Sequence, residues 1–123
     1  MEYHSEMETE LMLFNAYKRY NYEIDVYGYI LVTSPDGTVT ERQYDVVPTT
    51  HNVQITTSFI GDLVILASSK FQKDSYIQSL RDRNGNEIYP ESIWQISSTQ
   101  PITNALGLVE GYKYKAKIIA GEV

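Results

Sequence analysis

Residues 22–47 read YEIDVYGYILVTSPDGTVTERQYDVV, and this stretch restricts the choice of fold more than any other. Tyr22, Ile24, Val26, Gly28, Ile30 and Val32 share one parity; Glu23, Asp25, Tyr27, Tyr29, Leu31 and Thr33 share the other. Side chains alternate across a strand, so the first set can enter a core while the other set faces outward. Ser34-Pro35-Asp36-Gly37 reads as the turn of a hairpin. Proline presets φ at its second position, and glycine takes the φ > 0 residue of a type I turn with a bulge. With Thr33 opposite Thr38, Tyr29 faces Arg42 and Tyr27 faces Tyr44. The outer face then carries Tyr27, Tyr29, Leu31, Arg42 and Tyr44, the candidate interface of the chain. A face this apolar needs cover, from an N-terminal helix or from a partner. Glu41, Gln43 and Asp45 take the inward parity of the second arm, which places that arm at a sheet edge, and Pro48 ends it.

The rest of the chain continues in strands. Ser5-Glu6-Met7-Glu8 fits a capping box, with acids at the start and Lys18 and Arg19 at the end, so a helix is expected over residues 6–19. An extended arm is the competing reading. Residues 48–52 read as a connection. Val53, Ile55, Thr57 and Phe59 alternate with polar residues as a half-buried strand does. Gly61-Asp62 turns the chain into residues 63–67, LVILA, apolar on both faces and the best candidate for a central strand. Residues 68–75 read as a loop. Residues 76–82 open a second hairpin, with Asn84-Gly85 as a type I′ turn signal. A strand around Trp94 follows, then a loop over residues 97–107, then a last strand over residues 112–120. In that strand Tyr112, Tyr114, Ala116 and Ile118 share one face and Lys113, Lys115 and Lys117 the other. The lysine row keeps its face wet and discourages aggregation through it. The fold class expected is mainly β: an antiparallel β-sandwich or small barrel of about seven strands with one N-terminal α-helix, in a single domain over residues 1–123 (1–20 helix or arm, 21–123 β-domain).

Composition limits the function classes. The 123 residues include no cysteine, so disulfides and thiolate metal sites are excluded. Residues 1–62 hold ten acids and three bases, and residues 63–123 hold six acids and seven bases. A strong phosphate-binding stripe does not fit this balance, and nucleic acid is not an expected partner. Such asymmetry can orient head-to-tail packing of copies. The acidic first ten residues are the reverse of a secretory signal, and no apolar run is long enough to span a membrane, so neither secretion nor membrane insertion is expected. Eleven tyrosines are a heavy load; tyrosine is both a good strand residue and a common interface residue.

Chemistry-bearing patterns are sparse. His4 and His51 have no local partner at metal-ligand spacing. Residues 82–87 have calcium-loop residue types, but with glycine at the fourth position and no terminal glutamate ligand a hairpin turn explains them better. Glu23 and Asp25 share a strand face, read as solvated. No catalytic, cofactor-binding or metal-binding residue is assigned, and no cofactor is expected.

The turn-rich strand pattern, the Arg81-Asp82-Arg83-Asn84-Gly85-Asn86 hairpin, the tyrosine load and the lack of cysteine together resemble small β-sandwich accessory proteins of tailed-phage virions. The resemblance is one of overall style and carries over no functional residue. It implies a non-enzymatic structural subunit of the virion, made in the host cytoplasm: a head–tail connector, tail-completion or capsid-decoration protein docking on its own copies or on other virion proteins. The alternative is a soluble binding module for glycan or peptide, with Tyr27, Tyr29 and Tyr44 as a sugar-stacking platform or the polar hairpin arm as a site of strand addition.

Overall fold

The computed structural model describes residues 21–57 and 61–121. These form β1 (Tyr22–Tyr27), β2 (Tyr29–Thr33), β3 (Thr40–Tyr44), β4 (Thr49–Thr57), β5 (Leu63–Ala67), β6 (Tyr76–Asp82), β7 (Ile93–Thr103) and β8 (Val109–Ala120). Six of them close an antiparallel barrel in the order β1-β4-β5-β8-β7-β6, with β6 pairing back onto β1, while β2 and β3 make a separate two-stranded sheet. Of the two expected architectures the barrel is the one adopted, not the sandwich. The helix expected over residues 6–19 lies outside the described residues, and among those there is no helix.

Alternation fills the barrel. Ile24 and Val26 of β1, Val53 and Ile55 of β4, and Leu63, Ile65 and Ala67 of β5 point inward. Ile77, Leu80, Trp94, Ile96, Tyr114 and Ala116 complete the lining. Small closed barrels have no edges to protect and are packed solid by such side chains. An aromatic residue plugs each end. At the β4–β5 turn, buried Trp94 donates from Nε1 to the Gly61 carbonyl at 2.8 Å. At the opposite mouth, Phe71 stacks on Tyr114 with ring centroids 4.8 Å apart, and His51 meets the Phe71 ring edge-on at 4.7 Å.

β6 carries a one-residue insertion against β1. Glu23 pairs with Arg81 and Asp25 with Gln78, so Ser79 and Leu80 stand opposite Ile24 alone. Ser79 takes a φ of 55° there. The bulge turns Leu80 inward and leaves Arg81 outward beside both acids of β1.

Three chain reversals share one construction. In each, the fourth residue is a glycine with positive φ (Gly37, Gly85, Gly107) whose N–H donates to the carbonyl of the first (Ser34, Asp82, Asn104). Asp82 Oδ1 accepts the amides of Asn84 and Asn86, and Asn104 Oδ1 those of Leu106 and Leu108. At the Ser34 turn, Asp36 accepts from the Ser34 hydroxyl and from both the amide and hydroxyl of Thr38. These bonds hold the Asp36 carboxyl down to about 2. They also draw Thr38 into the loop, so Ser34 closes on Val39 and Thr33 pairs with Thr40, not Thr38. The register moves by two residues and every side chain keeps its face. Asn84-Gly85 is likewise not a type I′ turn, because Asn84 does not take positive φ; Gly85 alone does.

Two segments read as loops are strand. Thr49 to Asn52 begin β4 and pair with β1, as β-branched residues favour. Ser97 to Thr103 continue β7 along β8, with Pro101 opposite Tyr112. β6 pairs with β7 only at Gln95 and Trp94, so beyond them β7 has β8 on one side and proline's missing N–H costs no ladder bond. The residues expected at the heart of a sheet, 63–67, form β5 between β4 and β8; a closed barrel has no central strand.

Candidate interaction surface

The long first strand expected through residues 22–33 breaks at Gly28. β1 stays in the barrel wall, and β2 leaves the mouth with β3 as a projecting ribbon. Gly28 sits where the two sheets meet: its carbonyl accepts from the Asp45 amide, and a Cβ there would lie 2.8 Å from Gln72 Oε1. That same Gln72 oxygen accepts the Tyr29 amide at 3.1 Å.

The ribbon has two faces with different fates. On one, Tyr29 stands opposite Tyr44 and Leu31 opposite Arg42. The β5–β6 loop packs against its base, at Tyr29 and Tyr44. Tyr29 Oη donates to the Lys73 carbonyl at 2.9 Å and Tyr44 Oη to the Asp74 carbonyl at 2.8 Å. Arg42 pairs with Asp74 at 2.8 Å while its guanidinium lies 5.2 Å from the Tyr29 ring centroid. Tyr44 packs between Tyr29 and Tyr76, at 5.3 and 4.3 Å between centroids. Asp74 holds a φ of 68° to present its carbonyl to both Tyr44 and Gln95. Residues 72–76 thus cover Tyr29 and Tyr44 in part, while the N-terminal helix expected to lie across them falls outside the described residues. Tyr27 does not join this cluster; it lies in β1 across from Tyr76. Leu31 remains 66% exposed beyond the loop's reach.

The other face pairs Ile30 with Gln43 and Val32 with Glu41, and Val39 follows on the same side. Their parity is the one expected to point into the core. Instead Ile30 is 61% exposed, Val32 43% and Val39 49%. The reason is geometric: once the chain leaves the barrel at Gly28, the parity that faced the core faces solvent, and the tyrosine side becomes the one that packs. Val46 and Val47, just past the ribbon, are exposed as well.

Across the barrel, β8 presents its lysines outward. Lys115 and Lys117 are exposed, Ile119 extends the row, and half-buried Val64 and Leu66 of β5 stand beside Lys115 and Lys113. The inward Tyr112, Tyr114, Ala116 and Ile118 follow the expected alternation.

Glu23 and Asp25 are not simply solvated. Arg81 donates from Nε to Glu23 at 2.9 Å and through two nitrogens to Asp25 at 2.9 and 3.2 Å; Thr50 adds a bond to Asp25 at 2.8 Å. The Arg81 hydrogen bond is the main cause that lowers the Asp25 carboxyl below its usual range. This clamp ties β1, β4 and β6 together. A depressed carboxyl contributes stability that is present above the ordinary value of 3.8 and lost as pH falls through the folded value. Arg81→Met is therefore expected to cost about 1–2 kcal/mol at neutral pH, after allowance for screening at the partly exposed Glu23. The difference from wild type should shrink as pH drops below 3.8, followed by urea unfolding at several pH values. A cost unchanged by pH would show that Arg81 acts through packing alone.

His51 lies on the inner parity of β4 with Nε2 2.8 Å from the Thr49 hydroxyl, and burial lowers its pKa. Among the described residues, no three acids or histidines are grouped as metal ligands would be. Two surface hollows, of about 290 and 320 Å³, are lined by Asn21, Tyr22, Glu23, Asn52, Asp82, Arg83 and Gly85 and by Tyr89, Pro90, Glu91 and Gly121 respectively. Neither lining contains a serine, threonine, cysteine, lysine or histidine. The most distinctive features are therefore the ribbon and the lysine wall. Comparison with known proteins adds nothing to them: no family model, no curated protein and no solved structure matches this chain.

Proposed function

We propose that this protein is a non-enzymatic structural subunit that acts through protein–protein contacts, with a virion as the setting that its overall style implies. One observation carries the reading. The β2–β3 ribbon is fastened to the barrel by its tyrosine face and offers Ile30, Val32 and Val39 to solvent on the other. Apolar residues clustered on a rigid projection find their cover in another chain. The ribbon's fixed geometry limits the entropy lost when it docks.

Ser substitution of both Ile30 and Val32 tests this. Wild-type mass by light scattering is expected to rise above 14.1 kDa as concentration increases, and the double variant is expected to stay monomeric while unfolding at the same urea concentration. A wild-type chain that stays monomeric throughout, and that recovers no partner from its source, would end the reading.

Peptide capture by strand addition is the second reading. It is favoured because, among the described residues, β2 and β3 pair only with each other, leaving the ribbon's outer edges without a neighbouring strand. Glycan stacking is less well supported: Tyr29 and Tyr44 spend their hydroxyls and much of their ring faces on the β5–β6 loop.

A further inference from the structure

We infer that the partner of the ribbon's outer face is the lysine wall of a second copy of this chain, in a head-to-tail arrangement. The inference rests on the assembly reading above and names its two surfaces. Three observations carry it.

The first is chemical match. The outer face of the ribbon sets Ile30, Val32 and Val39 beside Glu41, with Asp45 next on the same parity. Its one base, Arg42, points the other way and is paired with Asp74. The wall formed by β5 and β8 sets Val64, Leu66 and Ile119 beside the exposed Lys115 and Lys117. Each surface is an apolar strip flanked by charge of one sign, and the signs are opposite. Such pairing fixes register and disfavours like-on-like contacts.

The second is direction. The tyrosine face of the ribbon packs on residues 72–76 of its own barrel, so the outer face points away from that barrel. The third is placement. In the strand order β1-β4-β5-β8-β7-β6, β1 and β8 are three strands apart whichever way one counts. The ribbon springs from the end of β1, and the lysines sit on the opposite wall. One molecule cannot satisfy both surfaces by itself. Two different surfaces in contact make a heterologous interface, which continues to a ring or a filament and does not stop at a dimer.

The test uses two full-length variants mixed in solution. Ile30→Ser/Val32→Ser removes the donor strip and keeps the wall. Lys115→Glu/Lys117→Glu reverses the wall and keeps the ribbon. All four changes are at surface positions, and unchanged urea midpoints verify that each variant folds. Wild type is expected to grow in mass past the dimer, with association weakened at least about tenfold by high salt. Each variant alone is expected to remain at 14.1 kDa, and the equimolar mixture to give one 1:1 dimer and nothing larger. If Lys115→Glu/Lys117→Glu assembles like wild type, assembly stands but the wall is not the acceptor, and the inference is overturned. If that variant loses stability without any change in mass, the wall is covered by the chain's own acidic N-terminal segment, which also overturns it. A wild-type chain that never associates with itself overturns this inference; the assembly reading falls with it only if the chain also recovers no partner from its source.

Discussion

Trp94→Ala is expected to remove about 3–5 kcal/mol, a large share of the roughly 5–15 kcal/mol that holds a domain together. Trp94 is completely buried, and its Nε1–H meets the Gly61 carbonyl at 2.8 Å. Tyr89 packs edge-on with centroids 6.5 Å apart. Truncation leaves a cavity at one end of the barrel and takes the donor from the Gly61 carbonyl. Neighbouring strands are fixed by pairing on both sides, so they cannot collapse into the gap. Trp94→Phe keeps most of the ring and should cost less, the missing hydrogen bond accounting for about 1 kcal/mol of it. Circular dichroism in urea is the readout, because Trp94 is the chain's single tryptophan. A loss under about 1 kcal/mol for the alanine variant would mean that the plug is not a structural keystone.

The second large effect lies at the other mouth. Tyr114 Oη accepts the Phe71 amide at 2.7 Å and donates to the Ser69 carbonyl at 2.7 Å. Tyr114→Phe keeps the ring stacked on Phe71 and deletes both bonds. The expected cost is about 2–4 kcal/mol, since two backbone groups lose their partner where water has little access. Burial also pushes the Tyr114 hydroxyl up to about 12 from 10.0. With a raised folded value, its contribution is complete below pH 10 and is lost as pH rises from 10 toward 12. Wild type should weaken across that window, and Tyr114→Phe should lack this part of the decline. The effect reaches the interaction surface. Residues 69–76 are the platform on which the ribbon's tyrosines sit, so amide exchange should quicken at Phe71 and at Tyr29, whose amide bonds to Gln72. Exchange confined to Phe71 would show that the platform is held without Tyr114.

The strands themselves were legible because alternation is a direct imprint of a half-buried wall. Ile24 and Val26, Val53 and Ile55, and Tyr114 and Ala116 all read correctly as inward. What could not be read was where a sheet stops. Alternation runs through Gly28 without a break, and nothing local says that Ile30 and Val32 have left the barrel. The departure is fixed by a residue far along the chain, Gln72, accepting the Tyr29 amide. The same long reach hid the covering of Tyr29 and Tyr44, which uses carbonyls of Lys73 and Asp74 that carry no side-chain signature. Polar strands failed for the opposite reason. Apart from Ile102, Thr49 to Asn52 and Ser97 to Thr103 bury little, so their pairing left no apolar pattern. The hairpin register missed by two because the Asp36 carboxylate recruits Thr38 into the loop. Of the five candidate interface residues, four do share a ribbon face, but the loop half-buries Tyr29 and Tyr44 there, while Ile30, Val32 and Val39 stay exposed on the opposite one.

The double pairing of β8 has a consequence for how the protein is made. β8 comes after every other described strand in sequence, yet it stands between β5 and β7, whose first residues emerge before it. Until it arrives, Leu63 and Ile65 on one side and Trp94 and Ile96 on the other have no wall between them. The three glycine turns can form as soon as they leave the ribosome, since each is built from neighbours in sequence. The barrel cannot; its closure waits on pairings across about fifty or more residues, which are slow and leave apolar strands exposed in the interval. A chain shortened before residue 109 is thus not a smaller version of this protein but an open, adhesive sheet, and the lysines of β8 arrive in the same segment that ends the exposure.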